Sequence, residues 1–361
     1  PVTLRLLRSD SDLVRRFADT FLENPRGGGN NITTVVRMNV ERHLGKLGQG
    51  LEEAKMAARA EGRKLQDIEI VRALRSGKEV EGPEAIAVNA LRQFHADLRK
   101  YGLDSGIFNK AFPESATYFH RSWKPSQFNK LIEEFGEEQV TEFIAKAVMN
   151  HKNTRASGID LTKAKKIAKR IIEYGKDPQA ARDWKATGAM LNRMRTEITE
   201  ELTADARRLG QEVSEDAIKR DVDDFIEAVI PSIDNQPHLS YGRRRIDMDE
   251  TFSMSMGGRV VHIDELMNNN ILPNVTRYAH KVIGGSEVRK GMKAVFGNAD
   301  TDLMTAKKAI RESQSGMDEG KFAEDMFDHA YKSLTGQPIY NSPRFLKWAM
   351  GYPCYYWCCS F

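Results

Sequence analysis

The chain has 361 residues, 40% hydrophobic and 29% charged, enough apolar material for two or three cores beneath a very wet surface. That composition excludes wholesale disorder and an integral membrane bundle. Lys and Arg outnumber Asp and Glu by 55 to 51, a net +4, too small a bias to announce a nucleic-acid binder.

The charge is unevenly spread. From His151 to Lys176 eight basic residues stand against two acidic ones, net +6, and from Arg195 to Glu227 five stand against eleven, net −6. Solvated helix faces give this pattern, as does a protein that turns one face to an anionic partner or whose copies meet head to tail. All three cysteines, Cys354, Cys358 and Cys359, fall in the last eight residues, so the body has no disulfide framework and no thiolate metal site. The aromatic tail from Tyr352 to Phe361 is far short of the roughly 20 apolar residues that span a bilayer. Pro1-Val2-Thr3-Leu4 has neither an initiator Met nor a leader pattern. The sequence therefore reads as a trimmed mature chain or an internal piece of a longer one, and the ragged aromatic end favours the second.

Along the chain the dominant period is helical. Leu13, Val14, Phe17, Ala18 and Phe21 form a stripe behind the capping-rich Ser9-Asp10-Ser11-Asp12, and Asn24-Pro25 stops it. Gly27-Gly28-Gly29-Asn30-Asn31 is a connector; a phosphate loop would need a preceding strand and a following Lys-Ser/Thr pair. Residues 32–62 and 83–101 read as helices, the second started by Pro83 and stopped by Gly102. Phe108 to Trp123 reads as a packed aromatic loop, and two helices follow over 126–135 and 137–150, split at Gly136. A basic helix over 160–174 turns Ala164, Ile167, Ala168, Ile171 and Ile172 one way and Lys163, Lys166, Lys169 and Arg170 the other. From Pro178 to Pro231 the pattern suits long acidic helices broken near Gly210, one starting at Ser214. Thr251–Met256 and Arg259–Ile263, separated by Gly257-Gly258, make the one persuasive β-hairpin. Helices resume from Asp264, punctuated at Gly284-Gly285 and Gly297. The expected fold is mainly α, an extended multi-helix architecture with one small hairpin at about 251–263. Its three regions are an N-terminal helical region (1–110), a central region with basic and acidic helices (111–236) and a motif-bearing region (237–361).

The eight histidines show no metal-ligand spacing, and there is no nucleophile elbow, kinase set or dinucleotide fingerprint, so no cofactor, metal or catalytic residue is expected. One cluster is worth weighing. Arg243, Arg244 and Arg245 abut Asp247, Asp249 and Glu250 directly before the hairpin. Such a set can be an acid/base or Mg²⁺ site whose arginines hold phosphate. It can equally be an ion-pair network pinning the hairpin to the helices or fixing a subunit contact.

At this motif the sequence resembles a known family. Arg243 to Glu250, the Gly-containing hairpin, Asp264-Glu265-Leu266 with its Asn-rich sequel, Tyr278-Ala279-His280 and Gly284-Gly285 are similar to the core of the large internal virion proteins of short-tailed phages, the ejection proteins. Ser9 to Arg16 with Phe21 to Pro25, and Tyr118 to Trp123 with Phe135 to Glu138, agree in the same order, so the likeness spans residues 5 to 350 or so. Its motifs are patterns of apolar, Arg and acidic residues and not catalytic signatures. The resemblance implies a structural protein packed inside the capsid near the portal. It would leave ahead of the genome and join copies of itself and sister virion proteins in a tube across the host periplasm and inner membrane, through which phage DNA passes. Some members also carry a peptidoglycan-cleaving domain, for which this sequence has no match. On this reading Asp247, Asp249, Glu250, Gly257, Gly258 and Asp264 form a structural motif. Arg243 to Arg245 or the Lys163, Lys166, Lys169 and Arg170 face meets DNA or a partner. The alternative is a nucleic-acid-binding or Mg²⁺-dependent processing module built on Arg243 to Glu250.

Overall fold

Ser11 and Asn31 open the first two substantial helices: the Ser11 hydroxyl accepts the Val14 N–H at 3.2 Å and the Asn31 side chain accepts that of Thr34 at 2.9 Å. They belong to a computed structural model that describes residues 2–23, 31–108, 116–119, 121–151, 160–176, 196, 199–200, 203–204 and 248–336. The fold is mainly α with one small hairpin. In chain order come α1 (Val2–Leu7), α2 (Asp12–Phe21), α3 (Ile32–Ala60), α4 (Asp67–Ser76), α5 (Gly82–Ser105), α6 (Pro125–Phe135), α7 (Glu137–Asn150) and α8 (Leu161–Lys176). Then follow β1 (Ser253–Met256), β2 (Arg259–His262), a 3₁₀ turn (Ile263–Leu266), α9 (Ile271–Phe296), α10 (Leu303–Glu312) and α11 (Met317–Leu334).

Two hydrophobic cores result. In α3 the buried positions are Ile32, Val36, Val40, His43, Leu47, Leu51, Ala54 and Ala58. Their spacing of four and three keeps one narrow seam turned to α5 and α9. Phe17 and Phe21 of α2 meet Phe327 of α11 with ring centroids 5.2 and 5.7 Å apart, both edge-on. These helices, with α1, α4 and α10, make the first core. The second core gathers Phe128, Leu131, Phe143, Ile144, Ala164, Ile171 and Ile172 of α6 to α8 under Met256, Val261, Ile263 and Leu266 of the hairpin and 3₁₀ turn.

The cores are not consecutive in sequence. The first is built from residues up to Phe119 and from Ile271 onward, and the second from residues between them. Hydrophobic packing thus shares the stretch expected as one region over 237–361 between both: Met248 to Met267 pack with α6 to α8, whereas Ile271 onward joins α3 and α5. Where the chain crosses, the outgoing and returning segments pair. Lys124 N–H donates to Leu266 O at 2.9 Å and Asn268 N–H to Ser122 O at 2.8 Å, around an antiparallel bridge between Trp123 and Met267.

Several expected details change. The Gly284-Gly285 pair is not a break; it lies inside α9, and a Cβ on Gly284 would stand 1.7 Å from the Leu334 carbonyl oxygen. That glycine serves the close approach of the α11 end, whereas Gly297, at φ +79°, does terminate α9. Gly102 likewise does not stop α5, which runs on to Ser105 because the bare Gly102 lets Phe108 fold against it. Helix α4 is additional to the expected elements. Of the expected acidic helices over 178–231 only residues 196, 199–200 and 203–204 are described, and they are helical; the break near Gly210 lies outside the described residues.

Candidate functional site

The hairpin forms where expected and presents the motif. Gly257 and Gly258 take φ +52° and +86°, the pair of positive values a tight two-residue turn needs. They set Ser253 opposite His262 and Met256 opposite Arg259. Arg259 then reaches back to Glu134 of α6 at 2.9 Å and Glu265 at 3.1 Å, which raises its pKa above the ordinary guanidinium value. His262 N–H donates to Glu265 Oε1 at 2.9 Å, and the 3₁₀ turn this starts holds Asp264 buried.

Two helical turns of α4, nearly two hundred residues away in sequence, supply the partners. Arg72 grips Asp264 with both arms, Nε to Oδ2 at 2.5 Å and Nη2 to Oδ1 at 2.9 Å, and these hydrogen bonds raise the Arg72 pKa. Arg75, whose side chain is only 2% exposed, puts Nε 2.8 Å from Glu250 Oε2 and donates from Nη1 to Asn269 Oδ1 at 2.9 Å. The guanidinium also lies over the Phe119 ring, 5.5 Å from its centroid. Burial lowers the Arg75 pKa, partly offset by the Glu250 charge. Arg121 closes the set, donating from Nε and Nη2 to Glu250 Oε1 at 2.9 and 2.6 Å, with its guanidinium over the Trp123 ring.

Glu250 and Asp264 are therefore brought together, and Asp249 is not. The Asp249 carboxylate turns the other way, accepting from Thr251 N–H at 2.9 Å, Thr251 Oγ1 at 2.6 Å and Asn150 Nδ2. Burial opposes its ionisation, but these hydrogen bonds outweigh it and hold its pKa below the ordinary aspartate value. Between the arginines and the carboxylates lies a cavity of about 180 Å³ lined by Arg72, Arg75, Glu250, Phe252, His262 and Asp264. Three arginines, Arg72, Arg75 and Arg121, share its two carboxylates, so neither acid presents an unengaged oxygen to the cavity.

Arg243, Arg244, Arg245 and Asp247 lie outside the described residues, so the Mg²⁺ reading of the full cluster rests on Asp249 and Glu250, whose oxygens are engaged in different directions. Among the described residues no group of three or more His, Cys, Asp or Glu is arranged to hold a metal ion. On α8, Ala164, Ala168, Ile171 and Ile172 are buried, and Lys163 and Lys169 are exposed. Lys166 and Arg170 are half-buried, and Arg170 pairs with Glu173 at 3.1 Å. Sequence reasoning missed Arg72, Arg75 and Arg121. Nothing in the sequence ties α4 to the hairpin; the available signal was the capping box at Gln66 and Glu69, which marks the start of α4. In comparisons with known proteins, the chain matches no protein-family model and no curated sequence.

Proposed function

We infer that the chain is a structural component of a phage ejection apparatus, carried in the capsid core and reassembled with copies of itself and sister virion proteins into a channel for DNA across the host envelope. The observation that supports a structural role over a catalytic one is the disposition of the motif acids. Glu250 is held by Arg75 and Arg121, Asp264 by Arg72, and Asp249 by Thr251 and Asn150. A general base or metal ligand needs an unengaged oxygen facing a substrate; Glu250 and Asp264 instead fasten the hairpin region to helix α4 and the crossing segments, and Asp249 fastens it to the end of α7. The family resemblance of the sequence supplies the biological setting, and the portal and host inner membrane are the partners it suggests. No described helix is long and apolar enough to cross a membrane, so on this reading any contact of the described part with the bilayer is peripheral or through sister proteins. The exposed Lys163 and Lys169 are the described cations best placed for passing DNA or a neighbouring subunit.

The test is the mass and shape of the purified chain by light scattering and negative-stain microscopy, alone and with the sister virion proteins. Rings or tubes with a lumen wide enough for duplex DNA are the expected result. A compact monomer that stays monomeric with its sisters present overturns the proposal, and Mg²⁺-dependent nuclease activity lost on Asp249→Ala would install the alternative.

A further inference from the structure

We propose that the second core is a hinged unit, swinging as one body about the paired crossing segments 121–124 and 266–269 and latched to the first core by Arg72 and Arg75 of α4. This rests on core topology and the seam alone, independent of any role in a virion.

Three observations carry it. Each core is internally continuous: α6, α7, α8, the hairpin and the 3₁₀ turn pack on one another, and α1 to α5 pack with α9 to α11. Among the described residues, the hydrogen bonds and ion pairs that join them are few and local to α4, the 3₁₀ turn and the crossing segments. Arg72 binds Asp264, Arg75 meets Glu250 and Asn269, and Ser122 Oγ donates to Asn274 Oδ1 at 2.9 Å. Ion pairs moved into water recover as hydration much of what they lose in attraction, so a polar seam opens more easily than an apolar one. Finally, the outgoing and returning segments are fastened to each other by backbone hydrogen bonds, Lys124 N–H to Leu266 O and Asn268 N–H to Ser122 O, and so form one stem. The hinge itself is two hydrogen-bonded crossing strands, narrow enough to bend without disturbing either core.

The experiment uses the full chain with Cys354, Cys358 and Cys359 replaced by Ser, and spin labels introduced by Met56→Cys on α3 and Val260→Cys on the hairpin. Both sites are exposed, at 65% and 57%, one on each unit. Inter-label distances are recorded for this protein and for one that also carries Arg72→Met with Asp264→Asn and Arg75→Met with Glu250→Gln, which removes the charges of both latch pairs. Hydrogen exchange of α3 and α7 is followed in parallel. The expected result is a single narrow distance with the latch intact and a second, longer population without it, while amide protection in both helices stays within twofold. A single unchanged distance in the latch variant overturns the proposal. So does a broad distribution with the latch intact, or joint loss of protection in α3 and α7, which would make the two cores one cooperative unit.

Discussion

Gly284 and Gly45 both sit inside long helices, and replacing them by Ala should have opposite effects. At Gly284 the new methyl meets the Leu334 backbone oxygen, which cannot step aside like the end of a side chain, so Gly284→Ala should cost about 2–3 kcal/mol in a urea titration. At Gly45 a Cβ meets nothing within 4 Å, and Gly45→Ala should stabilise by roughly 0.5–1 kcal/mol through helix propensity alone. Two of the titrating residues illustrate the acid side of the stability curve. Burial lowers the His280 pKa from 6.5, so the unfolded chain takes up the proton first. Stability should fall as pH drops below 6.5 until the depressed folded value is passed, and His280→Gln should flatten that part of the curve. Asp249 acts lower down. Its contribution is complete above the ordinary value of 3.8 and drains away as pH falls through the lower folded value.

At the scale of elements, the periodic ones were legible and the isolated or distant ones were not. Helices α3, α5, α6, α7 and α8 announce themselves through apolar spacing, and the hairpin through Gly257-Gly258 between alternating runs. Helix α4 is only ten residues long, and its two decisive residues, Arg72 and Arg75, find acids that loop closure alone brings within reach. A pair of glycines in sequence looks the same whether it ends a helix or admits a neighbour, which is why Gly284-Gly285 misleads and Gly297 does not. Of the candidate site, Glu250 and Asp264 were visible as motif residues, and their partners were not. Two variants probe these elements. Gly258→Ala forces a Cβ into φ +86° and should destabilise the second core by about 1–2 kcal/mol, seen as earlier loss of hairpin amide protection. Lys163→Glu with Lys169→Glu changes two exposed positions and should leave stability within roughly 0.5 kcal/mol. If α8 faces DNA, binding should weaken and its salt dependence become shallower.

For the whole molecule, the interrupted first core has a kinetic consequence. Docking α9 to α11 onto α3 and α5 closes about 160 residues of chain, an entropic cost on the order of 4–5 kcal/mol if that chain is unstructured. Folding the second core first draws its two ends together and removes most of that cost. Pulse-labelled hydrogen exchange should therefore find α3, α5 and α7 protected before α9, and simultaneous protection of all four would contradict this order. Under the proposed ejection role, passage through a narrow portal would be less simple than for a string of local helices, since the last helices must find the first ones again. The paired crossing has a different implication. Ser122 and Asn268 leave and re-enter the larger body joined by one hydrogen bond of 2.8 Å, which holds the two backbones roughly 5 Å apart, as in neighbouring strands. Among the described residues everything beyond that bond returns on one stem, so a shorter or wholly foreign module with ends that close together can replace it, provided Arg72 and Arg75, left without Asp264 and Glu250, are changed to apolar residues with it.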